Sequence, residues 1–370
     1  MFESNILLRF ITIIFIFSLV LPSFVLAADE LPQETVLEGR VVNVLDQEEN
    51  QGDPEAQIFV VKLESGDRAG EEVEVLGGGS TQRIGDSEYK EGDRVLVAQT
   101  TNLSGDSEFY IQGFVRRNAL LSLFVIFVIV TLLVARWRGL TSLIGMAMSF
   151  LVIFKGISPL ILGGANPVLV VAGASLAIIP LTFFLSHGMN KKSLVAAAST
   201  VLSLIVTIGL ASLFSNIAHL TGYSSEEAAY LQTMVPGKIN FQGLVLAGII
   251  VGVLGVLDDI TVAQAAVVQK LREANPRLPS NELFFNALYV GRDHIASMVN
   301  TLILVYAGAS LPLLLLFVNT SQDLSLVINN QFLAEEIVRT LVGSIGLIFA
   351  VPVTTFFAVK AFPRPFSSQS

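Results

Sequence analysis

From Asn118 onward the chain alternates long apolar runs with short polar breaks. The runs cover roughly residues 119–135, 141–162, 167–186, 193–214, 241–261, 294–317 and 338–359. Each is near the ~20 residues with which a helix crosses the hydrocarbon of a bilayer. Such a helix also satisfies its own backbone polar groups, as hydrocarbon requires. The pattern therefore predicts about seven transmembrane helices. Before Asn118 the period changes. "ETVLEGRVVNV", "AQIFVVKLES", "EEVEVLG", "DRVLVAQT" and "EFYIQGFV" are rich in Val, Ile and Phe, alternate partially, and are separated by Gly, Asp and Asn. They read as about five short strands, enough for a small antiparallel barrel or sandwich, OB-like or SH3-like. "GGGS" at 77–80 reads as a loop, and "GYSSEEAAYLQTMVPGKIN" as a short surface helix.

The N-terminus has Arg9, an apolar run from Phe10 to Val20, then Pro22 and "VLAAD". A charged start, an apolar centre and small residues near Ala27 predict an export signal; the alternative is an uncleaved anchor helix. Both place the next domain outside. The expected division is a signal or anchor over 1–28, an extracytoplasmic β-rich domain over 29–116, a transmembrane domain over 118–362 and a cytoplasmic tail over 363–370.

Composition agrees with this α-helical polytopic class. Of 370 residues, 52% are hydrophobic and 14% charged, too apolar for an ordinary soluble domain. The stretch Asp29–Val115 carries 20 acidic and six basic side chains against a whole-chain charge of −9, so the rest is net basic. The cations of that remainder fall in clusters: Arg136 and Arg138; Lys191 and Lys192; Lys270, Arg272, Arg277 and Arg292; Lys360 and Arg364. With the β-rich domain outside, all four lie on one side of the bilayer, which the positive-inside rule makes cytoplasmic. This predicts a cell-membrane protein with a cytoplasmic C-terminus. Arg116 and Arg117 fall on the other side and are expected to anchor the first helix at the headgroups. No basic surface for nucleic acid is evident.

Within run 241–261 and its continuation, "GVLDDITVAQAA" places Asp258 and Asp259 in an apolar setting. If the helix stops there, the pair sits at its cytoplasmic end. If it continues through "ITVAQAAVV", as the apolar character favours, the pair lies near the middle of a long span. A carboxylate at such depth costs at least ~2.5 kcal/mol on insertion scales unless it is partnered or hydrated. Adjacent carboxylates also repel, which a bound proton relieves. The pair is thus a candidate proton or ion site. Gly248, Gly252, Gly255 and Asp259 share one helix face, and small residues let a neighbouring backbone approach, so Asp259 is expected to face protein.

The next run supplies polar company. "VGRDHIASMVNT" sets Asp293, Ser297, Asn300 and Thr301 on one stripe, with Arg292 and His294 at its start. Asn300 is about 10 Å further along the helix than Asp293. Together with Thr261 and Gln264, these residues either line a polar path or join helices by hydrogen bonds. Lys155 either snorkels to the interface or pairs with an aspartate.

"GVLDDITVAQAA", "ALYVGRDHIASMVNTLILVYAGASLPLLLL" and the layout resemble the YibE/F-like family of bacterial membrane proteins, over nearly all the membrane region. That resemblance implies topology rather than an activity. More locally, "GVLDDITVAQAAVVQKLREANP" is similar to the Asp-Asp helix of resistance–nodulation–division exporters and related protein-export accessory proteins. There, intramembrane acidic residues take part in proton coupling. By that resemblance, Asp258 and Asp259 become candidate coupling residues. This chain departs in having two extra preceding spans, a smaller external domain and no second copy of the unit.

Several chemistries are excluded. The chain has no cysteine, hence no disulfide, thiolate metal site or cysteine nucleophile. It has no GxxxxGK[ST] loop and no HExxH motif. No EF-hand spacing occurs among its acidic residues. Neither a metal, a cofactor nor catalysis is expected. An intramembrane aspartyl protease would need facing carboxylates, such as Asp259 and Asp293, but no protease motif accompanies them. Two classes remain: a proton- or ion-coupled transporter or energy transducer, and a membrane scaffold or sensor. In both, the external domain would bind a ligand or protein partner and the bilayer is the other partner.

Overall fold

The computed structural model describes residues 35–45, 57–77, 89–101, 107–319 and 323–364. The expected signal or anchor at 1–28 lies outside these residues, as do most of the "GGGS" loop and of the tail 363–370. The chain divides into two compact units that meet in sequence between Val130 and Thr131.

The first unit holds five strands, β1 (Thr35–Leu45), β2 (Gln57–Leu63), β3 (Glu72–Gly77), β4 (Arg94–Thr101) and β5 (Ser107–Phe114). They close into a barrel in the order β1-β2-β3-β5-β4. All pairings are antiparallel except β3 with β5, which meet in parallel at Leu76 and Tyr110. A closed five-stranded barrel of this kind matches the OB alternative. Alternation along β1 turns Leu37 and Val41 inward, where they meet the buried Phe59, Val61, Val75, Val95 and Val97. Gly39, between them, has no room for a Cβ because the Val61 side chain occupies that space. Arg116 and Arg117 are engaged within this unit. Arg117 pairs with Glu38 at 3.0 Å, and the Arg116 guanidinium lies over the Phe114 ring.

Glu64 joins two strands on the barrel surface. Its carboxylate accepts from Arg94 Nε at 2.8 Å and from Arg40 Nε at 3.0 Å. These bonds, Arg94 first, hold its pKa below the ordinary 4.5. A depressed carboxylate pKa stabilises the fold above the unfolded value, and that contribution disappears as pH falls through the folded value. Glu64→Gln should therefore loosen β1 and β4 at neutral pH, and the gap between variant and wild type should close on acidification below 4.5. Hydrogen exchange of those strands, measured across that range, checks it; a gap independent of pH contradicts it.

The helical elements are α1 (Arg117–Val152), a π-helical turn (Ile153–Ile157), α2 (Ser158–Leu162), α3 (Pro167–His187), α4 (Lys191–Ile217), α5 (Glu226–Met234), α6 (Phe241–Ala274), α7 (Ser280–Ala309), α8 (Leu311–Asn319), α9 (Leu324–Ile328) and α10 (Gln331–Ala361). Side-chain oxygens of Asn166, Asn190, Ser225, Asn240 and Asn330 accept the first free amides of α3, α4, α5, α6 and α10, which fixes where each begins. Within α1 the backbone breaks at Arg136 (φ 51°, ψ −131°). The π-helical turn precedes Pro159, which has no amide to give the preceding turn. The "GYSSEEAAYLQTMVPGKIN" loop contains the short helix α5.

Five helical stretches are long and apolar enough to cross a membrane, or six if α7 and α8, bent by 63°, form one span. The run read as one segment over 294–317 falls on this bent pair. Its helix starts earlier, at Ser280, and bends at Ser310. Pro312 explains the bend, since its ring clashes with a carbonyl one turn back.

At the centre, α4, α6 and α10 pack on one another; α3 packs on α6, and α7 on α10 and α6. Small residues allow the closest approaches. Gly346 of α10 lies against Thr207 of α4, and Gly291 of α7 against Val351 and Gln264.

Candidate functional site

α6 runs unbroken through the two aspartates, which therefore lie inside the helix and not at its end. Its bulky residues Ile249, Ile250, Val253, Leu257 and Ile260 form the buried face. Asp258 stands at the edge of that face and is half-buried. Its Oδ1 is fully buried with no hydrogen-bond partner, and Thr182 of α3 lies beside the carboxyl. Asp259 projects about 100° further round, on the exposed face, where His187 of α3 and His294 of α7 are near enough to act on its charge.

The expectation that Asp259 faces protein is thus corrected: Asp258 turns into the bundle, and Asp259 lies on the open side. The same holds for the close-packing role given to the glycines. A Cβ at Gly248 or Gly255 would meet nothing within 4 Å, and one at Gly252 only the Tyr306 hydroxyl at 3.5 Å. The cause is α6 itself, which packs through its branched aliphatic side chains and leaves the glycine face exposed. α3 and α7 each also pack on α6.

Thr261 and Gln264 are buried on the inner face. Thr261 shares a hydrogen bond with Thr200 of α4 at 2.8 Å. Gln264 Nε2 donates to the Ala287 carbonyl of α7 at 2.9 Å and to the Thr355 hydroxyl of α10 at 2.7 Å. These two residues therefore join helices. Arg292, Asp293, His294, Ser297, Asn300 and Thr301 are all exposed along α7. Of them, His294 is brought to the aspartates, while the Thr301 hydroxyl bonds back to the Ser297 carbonyl at 2.9 Å. Lys155 stands exposed in the π-helical turn and joins no ion pair among the described residues, so the pairing alternative is not realised. Among the described residues no three His, Asp or Glu side chains are grouped to hold a metal ion.

Sequence reasoning missed Thr182 and His187. Both sit in an apolar run, "PLTFFLSHG", that reads only as a span, and nothing in it says that α3 lies beside α6. It also missed the charges of α10. Glu335 is buried and receives the Ser224 hydroxyl at 2.7 Å and Gln331 Nε2 at 3.1 Å. Glu336 pairs with Arg339 one turn on.

Residues 123–364 match the family model described as YibE/F-like protein. No curated protein and no solved structure matches the chain. The matched stretch contains the aspartate pair, both histidines beside it and the described helices apart from the first residues of α1. With its long apolar helices, this chain is a membrane protein that belongs to the YibE/F-like family.

Proposed function

We propose that this protein is a seven-span, proton- or ion-coupled transporter or energy transducer of the cell membrane, with Asp258 and Asp259 as the coupling groups. The seven spans come from counting α1 as two helices divided at Arg136 and the bent α7–α8 pair as one. An unbroken α1 of 36 residues would be about 54 Å long, far beyond the hydrocarbon thickness. With the barrel outside, the cationic loops face the cytoplasm, as the positive-inside rule favours. The barrel is the part available to an external ligand or protein.

The observation that carries this reading is the setting of Asp258. An ionisable group inside a membrane helix is a functional site by default, and this one has a buried oxygen without a partner. The Thr182 hydroxyl already donates to the Ile178 and Ile179 carbonyls, each at 3.1 Å. The same hydroxyl can turn to donate to the Asp258 carboxylate or accept from the neutral acid, so it serves the group in both charge states. Asp259, one position on, lies on the exposed face of α6, where the His187 and His294 imidazoles act on its charge. A proton held at Asp258 thus has a route through Asp259 to water.

Labelling with dicyclohexylcarbodiimide, an apolar reagent that attacks protonated carboxyls, tests it. The protein in membranes at mildly acidic pH should take one adduct at Asp258, absent from Asp258→Asn. Reaction confined to carboxyls elsewhere, with neither aspartate labelled, contradicts the proposal.

A further inference from the structure

α7 has two unlike sides. Gly291 and Leu302 are buried against the bundle. On the opposite side, Asp293, Ala296, Ser297, Asn300, Leu304 and Ala307 share one face, and every one of them is exposed. This face lies well inside the span. Two contacts fix α7 against α6. The Ala287 carbonyl accepts from Gln264 Nε2 at 2.9 Å, and the Tyr306 hydroxyl stands 3.5 Å from where a Cβ of Gly252 would be. Ser297 and Asn300 lie between these two levels. Asn300 is about 15 Å from the bend at Ser310 and about 30 Å from the start of α7 at Ser280. Hydrocarbon offers a polar group nothing to bond, and polar side chains of membrane helices are turned to protein partners. Yet the Asn300 carboxamide has no hydrogen-bond partner among the described residues. Neither Arg292 nor Asp293 joins an ion pair among them.

We propose that this face of α7 packs on the same face of a second copy of the chain, making the protein a two-fold symmetric dimer in the membrane. Both copies insert with one orientation, so the axis runs along the membrane normal and sets each residue of the face opposite itself. The residues suit self-pairing. An asparagine carries both donors and an acceptor, so Asn300 bonds Asn300 of the second copy, and the Ser297 hydroxyl pairs in the same way. Arg292 adjoins Asp293 in sequence and is long enough to reach Asp293 of the second copy, which gives each charge an opposite partner. Ala296 and Ala307 let the two backbones approach. Lipid cannot satisfy the face at this depth, and a different protein would have to bring a complement that this face already supplies to itself. The inference needs α7 to cross the bilayer, as in the span count proposed above. It does not need the aspartates to couple protons.

The chain has no cysteine, which makes cross-linking direct. Single cysteines are placed in the full chain and oxidised with copper phenanthroline in native membranes. Asn300→Cys, Leu304→Cys and Ala307→Cys should each link into a dimer. Ile303→Cys and Val305→Cys, exposed but about 100° to either side of Leu304, should stay monomeric. In detergent, Asn300→Leu should raise the dimer dissociation constant about tenfold, the order expected for interhelical hydrogen bonds. Linking at on-face and off-face positions alike, or at none of the three on-face positions, overturns the dimer. A lipid-soluble maleimide should label Val305→Cys and a charged one should not. Labelling by the charged reagent would put α7 outside the bilayer and overturn the span count together with the dimer.

Discussion

Gly291→Val should destabilise the helical unit by about 3 kcal/mol or more, whereas Gly248→Val should change its stability by less than about 1 kcal/mol. The two glycines sit on neighbouring helices and are equally inconspicuous as residues. Their surroundings differ. A Cβ at Gly291 would stand 2.6 Å from Val351 Cγ1 and 2.8 Å from Gln264 Oε1. Val351 is fully buried, and a β-branched side chain in a helix has one strongly preferred rotamer to retreat from. Gln264 is held by its bonds to Ala287 and Thr355. Moving it leaves a buried carboxamide unsatisfied, at about 1–3 kcal/mol, on top of about 1–3 kcal/mol for overpacking. At Gly248 an added Cβ meets nothing within 4 Å, and valine gains helix propensity over glycine. Reversible unfolding in detergent measures both. Equal effects would mean that the tight approach of α7 to α6 and α10 is not as described.

That contrast shows where sequence reading succeeds and stops. Hydropathy period separates strand from helix along the chain, so the five strands and the long apolar helices are legible in the order of residues alone. Loop cations rank the two sides of the bundle. The OB topology is less so, because five alternating strands do not say that β5 inserts between β3 and β4. Helix boundaries depend on single residues. Pro312 beside Ser310 bends a run that hydropathy reads as straight, whereas the break at Arg136 falls between two runs that hydropathy already separates. Asp258 and Asp259 are legible because charge in an apolar run is conspicuous. Which of them turns inward is not. The glycine stripe invites a packing role by composition alone, yet the tight glycines are Gly291 and Gly346, on other helices. Thr182, His187, Glu336 and Arg339 escape because their meaning lies in which helix stands beside which, and local period carries no such information.

Asp258→Asn should abolish coupling, the largest functional effect expected here. The substitution keeps the size of the side chain and adds donors, so the bundle should keep its fold while the group can no longer take or release a proton. Asp259→Asn should leave Asp258 cut off from the exposed face of α6 and the two histidines there. Proton uptake into liposomes, wild type against each asparagine variant, is the most direct measurement. The account predicts uptake in wild type and a rate equal to empty liposomes in both variants, at unchanged thermal stability. Variants that conduct like wild type, or that lose only stability from a protein that never conducts, would show that the acidic doublet merely fastens helices together.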